Sequence, residues 1–345
     1  MRRTGHGLAA ALAVVWLGCS GAAQPPAATG ETTPRVDRDT LLRDLRTLAN
    51  PALEGRRTGT EGSRSARTFI VEQFEAIGLK PAGDDGYLQP FTFTPEPDKD
   101  AGGDPDVAEE GVNVIGRIDG TMADARWLVV TAHYDHLGVR DGNVHPGADD
   151  NASGVAALLA AARHFVRHPP QHTMLFVALD AEELGLRGAR AFVRSIPDVA
   201  SRVALNINLD MVSRSDRNQI YAAGTYHYPW TRPLLDAIGE RSRVRLLFGH
   251  DRPKSESGLD DWTMLSDHGA FHEAGVPFVY FGVEDHPDYH KPTDTADRID
   301  PAFFGDVVEM IIDAIQTFDV ELARRPVAWC FDDCSARGEA RPDQT

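Results

Sequence analysis

The feature that most constrains this chain is the alternation of short apolar runs with longer amphipathic ones from residue 126 to residue 323. RWLVVTAHYD reads as a buried strand, NASGVAALLAAARHFVRH as a helix, TMLFVALDAEE as a strand, GLRGARAFVRSI as a helix and VALNINLDMVS as a strand. QIYAAG then reads as a strand, YPWTRPLLDAIGERSR as a helix, HGAFHEAG as a short helix and VPFVYFG as a strand, before a last helix from Pro301 to about Ala323. Near-continuous apolar strands separated by helices predict an α/β fold, a mostly parallel (mixed) central sheet with helices on both faces. Such sheets bind ligands beyond the carboxyl ends of their strands.

Upstream, apolar spacing predicts one helix from Asp39 through TLLRDLRTLAN and another from Ser63 to a glycine stop at Gly78, joined by the polar, glycine-rich loop EGRRTGTEG. YLQPFTFTPEP alternates as an edge strand or hairpin arm, and the acidic stretch 96–111 reads as a surface loop.

The N-terminus is read as a targeting segment. Arg2 and Arg3 precede an apolar run from Leu8 to Leu17 and a small-residue stretch follows, the order of a secretory signal over residues 1–23. That run is too short to span a membrane. Leu17-Gly18-Cys19 resembles a bacterial lipobox, with Trp16 where the motif usually has Leu, so Cys19 is a candidate lipid anchor and cleavage near Ala22 to Gln24 the alternative. Either way the expectation is export to the periplasm or cell envelope, with or without a lipid, or secretion. Residues 24–36 read as a flexible linker, 37–325 as the folded domain and 326–345 as a polar tail. Cys330 and Cys334, four apart in that tail, are free to pair in an oxidising compartment. A net charge of −17 disfavours a nucleic-acid partner, which needs a basic face, and none is expected.

The chemistry-bearing residues fall at strand ends: His133-Tyr134-Asp135, Glu182-Glu183, Asp210, and His290 in the polar loop beyond VYFG, with Asp150 before the helix that starts near Asn151. Imidazoles and carboxylates converging on one sheet edge form a zinc donor set, and a carboxylate can bridge two zincs. Residues i and i+2 of a strand face one side, so Asp135 can accept the second N–H of His133 and fix its tautomer. Asp149 or Asp150 can cap the following helix while the other binds metal. Asp210 lies between apolar Leu209 and Met211, where a bare charge is costly unless compensated. Between His286 and His290 these arguments do not choose.

The strings AHYDHLG, PGADDNASGVAALL, DAEELGLRGA, NLDMV, SDHGAFHEAGVP and HPDYHKPTDT, in this order, resemble the M28 family of metallopeptidases, the bacterial leucyl aminopeptidase group with co-catalytic zincs. The resemblance covers roughly residues 40 to 320. It implies a zinc-peptidase (phosphorylase/hydrolase-like) α/β/α sandwich and two zinc ions per chain. His133 and Asp210 would hold one ion, Glu183 and His290 the other, and Asp150 would bridge them. Asp135 would orient His133, and Glu182 would be the general base of an aminopeptidase acting on peptide substrates. Two such ions acidify a shared water and polarise the scissile carbonyl. The span from Pro81 to Arg126 leaves no room for the inserted protease-associated domain of larger members. The sequon Asn151-Ala152-Ser153 falls inside this site and is read as coincidence.

Three rival readings remain at this level: a carboxypeptidase or dipeptidase, a single-zinc glutaminyl cyclase, and a silent ectodomain. A carboxypeptidase needs basic groups to clamp a carboxylate, for which Arg252 and Lys254 are present. The complete ligand set and Glu182 argue against the other two.

Overall fold

A computed structural model of the chain describes residues 34–94, 108–122 and 125–324. The signal, the lipobox cysteine, most of the linker, the tail and Cys330 with Cys334 lie outside the described residues.

Helix α1 spans Arg38–Leu48, capped by the Asp37 carboxylate on the amides of Asp39 and Thr40. A 3-10 turn over Pro51–Arg56 leads to α2, Glu61–Ile77, which stops at Gly78 in the left-handed conformation. Strands β1 (Lys80–Pro81), β2 (Leu88–Phe93), β3 (Glu109–Ile118) and β4 (Trp127–His133) follow. The hairpin β5 (Gly138–Arg140) and β6 (Asn143–His145) precedes a π-helical turn over Ala148–Ser153 and helix α3, Gly154–Arg167. Then come β7 (Met174–Leu179), α4 (Arg187–Ser195), α5 (Val199–Arg202), β8 (Val203–Leu209) and β9 (Gln219–Ala223). After α6 (Arg232–Arg241), β10 (Arg245–Phe248) and α7 (Lys254–Ser257), the chain closes with α8 (His268–Glu273), β11 (Phe278–Gly282) and α9 (Pro301–Ala323).

Nine strands form one sheet in the order β1-β3-β7-β4-β8-β11-β9-β10, with β2 also on β3. The middle four, β7, β4, β8 and β11, are mutually parallel. β3 runs antiparallel to β7 and β9 antiparallel to β11, so the sheet is mixed at both flanks. Alternate side chains divide between two cores. Leu128, Val130, Phe176, Leu205, Ile207 and Phe281 pack under α1, α2, α3, α6 and α9, while Val129, Leu175, Val177 and Val203 pack under α4 and α8. Helices thus cover both faces, as the alternation of segments predicts.

Three local readings need correction. Residues 109–111 begin β3 instead of closing a surface loop. That strand is hard to read because Gly111, Asn113, Gly116 and Arg117 break its apolar pattern. Asn113 is nevertheless fully buried and satisfied, donating to Gln89 and to the Gly188 carbonyl and accepting from the Asp180 amide. Helix α3 begins at Gly154, not near Asn151, and its first amide is held by the Asn151 side chain, not by Asp149 or Asp150. Asn151 is itself buried, donating to the Leu209 carbonyl. The loop EGRRTGTEG contains the buried Arg56, which belongs to the site's foundation.

Candidate metal centre

The four parallel strands deliver the candidate residues side by side. His133 ends β4, Glu182 and Glu183 follow β7 by one turn, Asp210 directly follows β8, and His290 lies in the loop beyond β11. Asp150 comes from the π-helical turn, shaped by Gly147 at φ +55, where an added Cβ would sit 2.0 Å from the Asp150 carbonyl oxygen.

Asp150 faces both ways. Its Oδ1 is 3.4 Å from Nε2 of His133, which is also 3.4 Å from Oδ1 of Asp210. Its Oδ2 is 3.2 Å from Nε2 of His290, which is 3.4 Å from Oε2 of Glu183. Two donors 2.0–2.1 Å from one tetrahedral zinc stand about 3.3 to 3.4 Å apart, so all four separations fit edges of two zinc polyhedra sharing Asp150. Oδ1 of Asp210 is buried and has no hydrogen-bond partner, as an atom reserved for a cation would be. The donors present therefore fit two zinc ions.

Other groupings of nearby donors exist, His133 with Glu182 and Asp210, and His136 with Asp150 and Glu183. His136 Nδ1, however, lies only 2.7 Å from Oε1 of Glu183. That is a hydrogen bond, too close for both atoms to sit on one tetrahedral ion, and it leaves Oε2 of Glu183 as the oxygen available to a cation. His136 was not singled out in the sequence, although it stands in AHYDHLG. Its role becomes visible only with Glu183 beside it.

The choices left open by local sequence separate in space. Asp149 accepts the Ser213 amide and hydroxyl at 2.7 Å, and its other oxygen is 3.2 Å from Nε2 of His286. His286 thus pairs with Asp149, and His290 with Asp150. The amides of Asp149 and Asp150 are held by Asp294, whose carboxyl burial pushes up to about 6.

Asp135 behaves differently from the expectation. Its carboxylate stands 3.6 Å from Nδ1 of His133, and its backbone carbonyl is closer, at 3.2 Å. The carboxylate oxygens instead accept the amides of Glu182 and Glu183, at 3.1 and 3.3 Å. Asp135 therefore shapes the Glu-Glu turn, while the tautomer of His133 is set by the backbone oxygen.

Asp210 is aimed by a relay from the sheet. Thr131 donates to Asn208 at 2.6 Å, Asn208 to Ser266 at 2.9 Å, and Ser266 to Oδ2 of Asp210 at 2.7 Å. Beneath the site, the guanidinium of Arg56 donates to the carbonyls of Tyr134, Leu48, Pro146 and Gly147. Burial lowers its pKa to about 10 against the pull of Asp150, Asp135, Asp294 and Glu183, so at neutral pH it is a buried cation behind an acidic site.

The Glu182 carboxylate accepts no hydrogen bond from the described residues and lines a cleft of about 530 Å3 with His133, Asp150, Asp210 and His290. Burial pushes its carboxyl well above the usual range, His133 opposing and Glu183, Asp267 and Asp210 reinforcing. Glu183 goes the other way, to about 2: burial raises it, but His136, His290 and His133 outweigh that. Adjacent carboxylates with opposite tendencies suit one proton carrier and one ligand. No Lys or Arg lines the cleft.

The fold is the one found in solved zinc aminopeptidases. The structure of BSAP, a zinc aminopeptidase from Bacillus subtilis, superposes with a TM-score of 0.65 at 18% identity, covering 86% of this chain and 98% of that one. The chain belongs to peptidase family M28, whose model matches residues 113–315. Aminopeptidase YwaD of Bacillus subtilis (strain 168) is 33% identical over 186 residues, 50% of this chain. "Probable lipoprotein aminopeptidase LpqL" of Mycobacterium tuberculosis is 30% identical over 226 residues, 56% of this chain. The chain spans 36% of the length of the former and 42% of the latter.

Proposed function

We propose that this protein is an exported aminopeptidase that uses two zinc ions to remove N-terminal residues from peptides. The observation that carries the reading is the double-faced Asp150, with His133 and Asp210 on one side and His290 and Glu183 on the other, at separations that suit two tetrahedral ions. When bound, the ions supply Lewis acidity toward the scissile carbonyl and toward water.

The chain's own residues would then act as follows. Glu182, unliganded and facing the cleft, takes the proton from the attacking water and delivers it to the departing amine. Asp135 holds the amides of Glu182 and Glu183, so that one carboxylate turns to the cleft and the other to the metal edge. His136 fixes which oxygen of Glu183 is offered.

The cleft's charge favours an aminopeptidase over a carboxypeptidase. A free α-amino group needs acidic surroundings and a C-terminal carboxylate a basic clamp. Arg252 lies over the Tyr226 ring and Lys254 is engaged by Asp260 at 2.6 Å; neither lines the cleft. Export, through the segment 1–23 and with Cys19 as a candidate lipid anchor, belongs to the same proposal. Among the described residues no helix is long and apolar enough to cross a membrane.

The test uses a leucyl peptide with a free amino terminus and its N-acetylated twin. Cleavage of the free-amine peptide alone, abolished by chelator and restored by zinc, supports the reading. Cleavage of the blocked twin, or of neither, refutes it.

A further inference from the structure

Beside the metal edge the cleft combines two surfaces of different character. Trp262, Leu265, Met211 and Val283 give it apolar walls, and Glu284, Asp285 and His250 line the same space. Asp260 also lines it, but Lys254 already holds that carboxylate. Glu284 and Asp285 have no Lys or Arg partner among the described residues.

His250 turns this acidity into a directed site. Its Nδ1 is 2.8 Å from the Asp260 carbonyl oxygen, which can only accept, so Nδ1 carries the ring proton. In the neutral ring Nε2 is then an acceptor. Nε2 is buried, has no hydrogen-bond partner, and faces Oε1 of Glu284 at 3.7 Å, beyond hydrogen-bond reach. Two acceptors confronting each other across such a gap call for a donor with several N–H groups and positive charge. The wall that carries them is fixed. The His250 ring stacks on Trp262 at 3.6 Å, Tyr221 and Tyr280 meet Trp262 edge-on, and Gly249 and His250 both hold positive φ.

We propose that this part of the cleft receives the side chain of the substrate's first residue and selects lysine or arginine there. The inference rests on the aminopeptidase reading and deepens it. Both side chains join a long apolar stem to a terminal cation with several donors, so the stem lies along Trp262, Leu265 and Met211 while the cation meets Glu284 and Nε2 of His250. Leucine fills the walls but leaves both acceptors without a donor. A site built to bond a polar group rejects an analogue that lacks it more strongly than it distinguishes methylenes.

The experiment compares kcat/KM for lysyl and norleucyl p-nitroanilides, which differ in ending on an ammonium or a methyl group. It is run on the zinc-loaded enzyme and on the variants Glu284→Gln and Asp285→Asn. The lysyl-to-norleucyl ratio is taken within each preparation, so losses of folded or metal-loaded protein cancel. We expect a ratio of about ten or more in the wild type, falling at least fivefold in Glu284→Gln. A wild-type ratio near one or below, or a ratio unchanged in both variants, overturns the specificity assignment and leaves the aminopeptidase reading standing. Equal losses on both substrates would place these carboxylates on the α-amino group and likewise overturn it. Hydrolysis of neither substrate, or equally of N-acetyl-lysyl p-nitroanilide, overturns the aminopeptidase reading and this inference with it.

Discussion

Within the Glu182-Glu183 pair, adjacent and chemically identical side chains are assigned different work by their neighbours. The Glu183 carboxylate is claimed by His136 and His290, whereas the Glu182 carboxylate faces the cleft without a hydrogen bond among the described residues. Replacing Glu182 by Gln keeps shape and removes the proton acceptor. We expect kcat to fall by about 100-fold or more, with two zinc ions per chain still found by mass spectrometry of the metal content. Loss of zinc in that variant would make Glu182 a ligand. Much of this was legible in advance, since an acid pair after an apolar strand points to a turn at a sheet edge. The division of Asp149 from Asp150, and of His286 from His290, was legible only through family resemblance. Their partners, Ser213, Asp294 and one another, are distant in sequence. Arg56 left no local signal, because a buried arginine and a solvated one read alike within a glycine-rich loop.

At the scale of elements, Arg56 ties the turn after α1 to the segments after β4 and β6. Arg56→Met should lower unfolding stability by about 3–5 kcal/mol, because four buried carbonyls lose their donor and the acids above lose a compensating charge. A urea-induced unfolding midpoint measures this, and a loss below about 1 kcal/mol would contradict it. Helix α3 offers a pH prediction remote from the metal edge. His164 is buried with both ring nitrogens unpartnered, and burial, with His168, Arg35 and Arg167, lowers its pKa to about 4. The unfolded chain binds this proton near pH 6.5 and the folded chain does not, so the stability is present above that value and is lost as pH falls toward 4. Between pH 7 and 5 His164 should account for up to about 2 kcal/mol of lost stability. His164→Leu should flatten that limb when urea midpoints are compared at the two pH values. The helices and central strands announced themselves by long periodic or wholly apolar runs. Strand β3 did not, because its buried Asn113 is satisfied by Gln89, Gly188 and Asp180, which no local window contains.

Across the whole molecule, the proposed ions would join strands whose ligands span residues 133 to 290 and would neutralise carboxylates crowded on one edge. A ligand that binds only the folded chain stabilises it by about 2.7 kcal/mol at a hundred times its dissociation constant. Chelation should therefore lower the melting temperature by about 5–10 °C, seen by differential scanning fluorimetry, and zinc should restore it. Asp150→Asn should lose most of that response. A chelator-insensitive melting temperature would argue against the shared two-ion site.

The strand order carries a further consequence for how such an enzyme comes into being. β11, last of the strands in the chain, enters the sheet between β8 and β9, both made before it. A growing polypeptide can therefore lay down His133, Asp150, Glu183 and Asp210 long before the slot beside β8 is filled and His290 arrives. Until then the half-built sheet has a gap at its centre and an incomplete cutting edge. Wherever the chain folds, the five candidate donors meet only once this late strand has taken its place beside β8.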